Sequence, residues 1–308
     1  MDLKLGIKSD PVEYRYTYEW LFDLLDDIDV RYVQLGSFFE LYTVDLSYFD
    51  DLRKAARESN IIIKSCFTSH RELGGFFSGD ARLEAAARKN YERYIEAAAL
   101  LGAEYVGSNP GSVYRDRMET KPEGTARYME HMKELMHVAR EKGLKGLTVE
   151  PMSCHAEPPS LPDEIDSIMG GLLEYHRRNS GTTVPVYLCG DTSHGLADEE
   201  GTVLYGCLEL FEYGIPYMAE FHFKNTDRIF DATFGFSPEE RKRGIVDLDE
   251  VFEIIRRNED RWPVREVVGY FETTGPKTGR DYSDPKLRKI LTESLTALKQ
   301  HTELPAPA

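Results

Sequence analysis

"IIIKSCF" (61–67), "DARLEAAARKNYERYIEAAALLGA" (80–103) and "EYVGSN" (104–109) follow one another in the chain, and their order decides the fold. The first and third are short, with apolar or β-branched centres, as buried strands are. The middle segment carries Ala and Leu at helical spacing, with Asp80 placed as an N-cap and Gly102 as a C-cap. Strand, helix, strand is the unit of a parallel sheet joined by right-handed crossovers.

The same alternation runs outward in both directions. Strand-like runs lie at 3–7, 30–36, 61–67, 104–109, 147–151, 184–191, 217–223 and 265–272. Helix-like segments lie at 15–28, 46–59, 80–103, 122–142, 161–178, 203–214, 247–258 and 283–300. Eight strand–helix units in a chain of 308 residues predict an α/β fold, a single (β/α)8 TIM barrel, rather than an open doubly wound sheet. No G-x-G-x-x-G opens a helix after the first strand, which disfavours a dinucleotide fold. No composition shift marks a second domain. Residues 1–300 are therefore expected to form one catalytic domain, with 301–308 as a C-terminal tail.

Composition narrows the function classes. The net charge of −16 repels phosphate backbones and anionic lipid, so neither nucleic acid nor membrane is an expected partner. The four cysteines, Cys66, Cys154, Cys189 and Cys207, form no C-x-x-C pair and read as reduced structural thiols. No apolar run approaches the length of a membrane span and no signal-peptide pattern opens the chain, so the expectation is a cytoplasmic protein.

The chemistry concentrates at the ends of the late strands. The fifth run ends in Glu150, the sixth in Asp191 with His194 three residues on, the seventh carries His222 and the eighth ends in Glu272. In a barrel these ends share one rim, where active sites are built. Three carboxylates and an imidazole suit one octahedral divalent ion, Mg²⁺, Mn²⁺ or Co²⁺, with positions left for substrate oxygens. The connection 224–246 after the seventh strand is long for a compact domain, and loops of that length tend to be functional.

The succession "TVEP" (148–151), "GDTSH" (190–194), "EFHFKNTD" (220–227) and "GYFE" (269–272) resembles the xylose-isomerase-like superfamily of sugar and sugar-phosphate isomerases and epimerases. The likeness in motif is closest to its ketose 3-epimerases. The resemblance implies that Glu150, Asp191, His222 and Glu272 ligate the metal and that His194 contacts substrate oxygens. It implies carbohydrate metabolism, and a small-molecule sugar or sugar phosphate as partner. A homo-oligomer is compatible with this reading.

That chemistry suits the residues. Taking a proton from the carbon beside a carbonyl leaves an enediolate, and a metal chelating its oxygens stabilises the developing charge. Glu150 and Glu272 come from strands about three steps apart around the ring, so they can flank one carbon from two sides. As in the related 3-epimerases, one glutamate would take a proton and the other return one to the opposite face. Use of one face alone would give aldose–ketose isomerisation. The alternatives are a lyase of the inosose-dehydratase type and, less favoured, an endonuclease IV-like nuclease.

"TSHRELGG" (68–75) places His70 on the same rim. In the nuclease branch a histidine here binds additional zinc. That branch continues with "HPGS", where this chain reads "NPGS" (109–112), and its D-x-H after the seventh strand is replaced around Asp227 by "TDRIF". His70 is therefore expected to bond substrate hydroxyls or orient Glu150, with Asn109 as a further substrate contact. Glu157, Lys224 and Arg228 complete the predicted substrate-binding set. Glu157 follows Glu150 by one residue more than the epimerase spacing. Lys8, Phe38, Phe39 and Glu40 end the first two strands and give weaker signals. The basic run "RKRG" (241–244) in the long loop is a candidate grip for a substrate phosphate.

Overall fold

The computed structural model describes residues 1–68, 74–275 and 280–303. Its strands are β1 (Asp2–Lys8), β2 (Tyr32–Leu35), β3 (Ile62–Thr68), β4 (Tyr105–Ser108), β5 (Gly146–Val149), β6 (Val186–Asp191), β7 (Leu196–Ala197), β8 (Val203–Tyr205), β9 (Met218–Phe223) and β10 (Glu266–Phe271). The helices are α1 (Tyr18–Asp27), α2 (Ser47–Glu58), α3 (Ala81–Leu101), α4 (Lys121–Glu141), α5 (Pro162–Arg178), α6 (Cys207–Gly214), α7 (Leu248–Arg257) and α8 (Asp284–Glu303). Eight parallel strands close into a barrel in the order β1-β10-β9-β6-β5-β4-β3-β2, and β7 and β8 form a separate antiparallel pair. The fold is the expected (β/α)8 TIM barrel.

The contacts group the chain into two units. One holds β1, β2, β9 and β10. Its register pairs Lys8 with Gln34, Ile7 with Phe271 and Tyr270 with His222. The period of two along "EFHF" explains what β9 does. Glu220 and His222 share one face, and Phe221 and Phe223 share the other. The two phenylalanines pack on Phe211, 5.2 Å from Phe221, and on Phe252 of α7, 5.4 Å from Phe223. All four rings are buried. That apolar anchor fixes the strand so that His222 faces the opposite way. Gly269 makes the packing possible: a Cβ there would stand 2.3 Å from Phe223 and 2.6 Å from Phe221.

The other unit holds β3, β4, β5 and most of β6. Thr68 pairs with Ser108 and Ser108 with Val149, so these strands end level with one another. The expected caps of α3 are present. Asp80 accepts from the Arg82 N–H at 2.9 Å, and Gly102 takes the left-handed conformation at φ 80°. An N-cap of this kind contributes about 1 kcal/mol.

The structure corrects one element. A helix was expected over 203–214, but Val203–Tyr205 form β8 and the helix starts at Cys207. The β-branched and aromatic residues of "TVLY" favour a strand, the left-handed Gly201 (φ 78°) turns the hairpin, and Gly206 caps the helix that follows. At the C-terminus α8 continues through Glu303, three residues beyond the end of the helix-like segment at 300. Among the described residues no helix is long and apolar enough to cross a membrane.

Candidate metal centre

Asp191 is the last residue of β6, His222 lies in β9 and Glu272 directly follows β10. His222 Nδ1 stands 2.9 Å from Glu272 Oε2 and 3.9 Å from Asp191 Oδ2. Its Nε2 is 2.8 Å from Oε1 of Gln34. Lys224, just past β9, holds its Nζ 3.4 Å from Asp191 Oδ2, 3.3 Å from His194 Nε2 and 3.9 Å from Glu272 Oε1. His194 Nε2 is itself 3.4 Å from Asp191 Oδ2. Lys8, ending β1, lies 3.4 Å from Glu272 and 2.9 Å from Asp10.

Glu150 directly follows β5, where its N–H donates to the Ser108 carbonyl at 3.3 Å. Its Oε2 accepts from the Asn109 amide. Asp191, His222 and Glu272 each offer one ligand atom, and those atoms all lie within 4.8 Å of one another. The donor set is hard oxygen with one imidazole, little exposed, so it fits a divalent ion of the Mg²⁺, Mn²⁺ or Co²⁺ class.

The surrounding cations decide the charge state of this cluster. Burial works against ionisation of Asp191, but His194 and Lys224 outweigh it and hold the carboxyl below its ordinary range. Burial likewise opposes ionisation of Glu272, and Lys224, Lys8 and His222 together bring it well below that range. Both carboxyls are thus kept as carboxylates, the form that ligates a metal.

The remaining predicted residues fall in different places. Lys224 and His194 meet at Asp191, and Asn109 meets Glu150. Arg228 is exposed in the long loop, and Glu157 is half-buried in the β5–α5 loop, its N–H donating to the Cys154 carbonyl at 2.9 Å. His70 lies outside the described residues. Phe39 is 84% exposed, which excludes a core role, while Phe38 meets Tyr48 edge-on at 5.8 Å. The basic residues Arg241, Lys242 and Arg243 are exposed, and the Arg243 guanidinium lies 4.3 Å over the Phe234 ring. Their loop is closed at its base by Asn225. Oδ1 of Asn225 accepts from the N–H groups of Thr226 and Val246, each at 2.9 Å.

Sequence reasoning passed over Gln34 and Asp10 and underrated Lys8. The signal was available for Gln34: an amide side chain inside the apolar run "VRYVQLG" needs a buried partner.

The chain belongs to the xylose isomerase-like TIM barrel family, whose model matches residues 22–282. No curated protein matches it. Solved structures do. A candidate xylose isomerase from Rhodospirillum rubrum is 21% identical, with 97% of this chain and 99% of that one covered and a TM-score of 0.76. The D-psicose 3-epimerase of Clostridium cellulolyticum, solved with D-tagatose, is 14% identical, with 98% and 100% covered and a TM-score of 0.71. A candidate 3-DHS dehydratase from Bacillus anthracis is 13% identical, with 96% and 98% covered and a TM-score of 0.63. At these identities the likeness is one of fold.

Proposed function

We propose that the protein is a divalent-metal-dependent epimerase or isomerase of a small ketose or ketose phosphate, with residues 1–300 as one catalytic domain. The observation that carries the reading is the convergence of Asp191, His222 and Glu272, with Glu150 at the corresponding end of β5. Structural likeness to a D-psicose 3-epimerase supports the substrate class. Glu150, Asp191, His222 and Glu272 would hold a Mg²⁺, Mn²⁺ or Co²⁺ ion, which would supply Lewis acidity when bound.

The chain's own residues do the rest. Glu150 and Glu272 are the two carboxylates that take and return the proton at the carbon beside the carbonyl. The Asn109 amide donates to Oε2 of Glu150 and fixes its rotamer. Lys224, Lys8 and His222 keep Glu272 ionised in a buried place. His194 and Lys224, side by side at Asp191, offer polar hydrogens to substrate oxygens. His70 is assigned to the same task from its place after β3. Asn109 is a neutral donor at the position where the nuclease branch needs a zinc ligand, which favours sugar chemistry over DNA cleavage.

A second reading, a dehydrating lyase, draws on the likeness to the candidate dehydratase. It shares the first proton abstraction and then expels a hydroxyl as water. One experiment separates the two: incubate the protein with C4–C6 ketoses and their phosphates, with Mn²⁺ in D₂O, and read product mass and deuterium. A product of unchanged formula with solvent deuterium beside the carbonyl is expected. Loss of water identifies the lyase, and inertness toward the whole panel overturns both.

A further inference from the structure

Gln34 sits at the end of β2, level with Lys8 of β1, and its side chain is fully buried. Burying an amide without a partner costs about 1–3 kcal/mol, so its bonding carries information. Oε1 of Gln34 lies 2.8 Å from Nε2 of His222, which is also fully buried. The two residues are 188 positions apart. A carbonyl oxygen only accepts, so Nε2 carries the hydrogen. Nδ1 faces Glu272 at 2.9 Å and Asp191 at 3.9 Å, so with Nε2 held to Gln34 it is the nitrogen that gives up its hydrogen and offers a lone pair when a cation takes its place among the carboxylates.

We infer that Gln34 is a positioning residue for cation capture: it fixes the tautomer and ring orientation of His222 so that Nδ1 is the nitrogen that offers its lone pair to a cation held by the carboxylates. The inference rests on the proposed metal centre. It adds a partner behind the ligand, and such partners orient metal-bound histidines. Gln34 is itself held, since its backbone carbonyl accepts from the Ser9 N–H at 3.0 Å and ties the end of β2 to β1. Side chain and strand end are therefore fixed together.

The test uses Gln34→Leu, which removes the acceptor, and Gln34→Glu, which keeps it. Mn²⁺ affinity is measured by titration calorimetry on metal-stripped protein. Gln34→Leu should weaken binding roughly 10- to 100-fold, and Gln34→Glu should bind at least as tightly as the parent. Rescue by the acceptor-bearing variant separates positioning from general damage to the core. A second readout needs no variant: ¹⁵N imidazole spectra of the Mg²⁺-saturated parent should place the His222 hydrogen on Nε2. A hydrogen on Nδ1 overturns the inference, as does Gln34→Leu binding Mn²⁺ like the parent. A parent that binds no divalent ion overturns the metal centre as well, so the two failures are distinguishable.

Discussion

Nζ of Lys224 lies 3.4 Å from Oδ2 of Asp191, although Asp191 ends β6 and Lys224 follows β9. The ammonium occupies the edge of a cluster of carboxylates and helps to hold both Asp191 and Glu272 below the ordinary carboxylate range, against the opposing effect of burial. A carboxyl depressed in the folded state contributes stability that is present above its unfolded value, about 4, and lost as pH falls through the folded value. Lys224→Met should raise both folded values. The acid limb of the metal-free protein should then begin at higher pH than in the parent. Melting temperatures taken from about pH 6 down to about pH 3 will read this, and superimposable limbs would exclude the role given to Lys224.

Glu150→Gln and Glu272→Gln should each abolish epimerisation. In a two-base scheme each epimer is deprotonated by one glutamate, so each variant should still wash deuterium into one epimer only. Both residues are proposed ligands, so metal content is measured on each variant. Substantial turnover by either fully metallated variant would rule the scheme out.

The exposed loop cations make a claim about phosphate. Removing Arg241, Lys242 and Arg243 together (each to Ala) should raise KM for a phosphorylated ketose by about 10- to 150-fold, from roughly 1.5–3 kcal/mol for a charge-assisted contact. The unphosphorylated sugar should be unaffected. Equal kinetics on both substrates would leave this run as solvated surface, with Arg243 serving only to cover Phe234.

Thiol chemistry tests the packing. Cys66 and Cys189 are fully buried, and burial pushes the Cys207 thiol up to about 11. Cys154 is half-buried, its Sγ 3.1 Å from an Arg115 nitrogen. A disulfide reagent near neutral pH should modify one thiol of the native protein, and Cys154→Ser should abolish that reaction. Rapid modification of a second thiol would show that the core opens more readily than its packing implies.

Much of this was legible because each signal was local. An apolar run that ends in Glu150, Asp191 or Glu272 announces a charge at a strand end, and the alternation of "EFHF" assigns His222 a face. What was not legible depended on partners distant in sequence. Gln34 acquires its meaning from His222, and Lys8 from Glu272, 264 residues away. Lys224 stood out only as a lysine near a histidine, since nothing in "HFK" says that its ammonium reaches back to β6. The hairpin at 196–205 was misread because the apolar residues of 203–214 also satisfy a helical period, and only Gly201 and Gly206 mark the change of direction.

A single oxygen on Asn225 gathers the N–H groups of Thr226 and Val246, so the long loop leaves and rejoins the barrel at one fastened point. Closing a loop of this length costs little more as residues are added, since the entropy grows only logarithmically. The loop is pinned again at mid-span, where Phe236 is buried and its N–H donates to Ser294 Oγ at 2.9 Å, so the room for change lies in the exposed stretches on either side of that anchor. Exposed residues such as Arg241 and Lys242 can therefore change in length and charge without disturbing the barrel, provided that Asn225, Phe236 and the close-packed Gly244 beside Asn225 are retained.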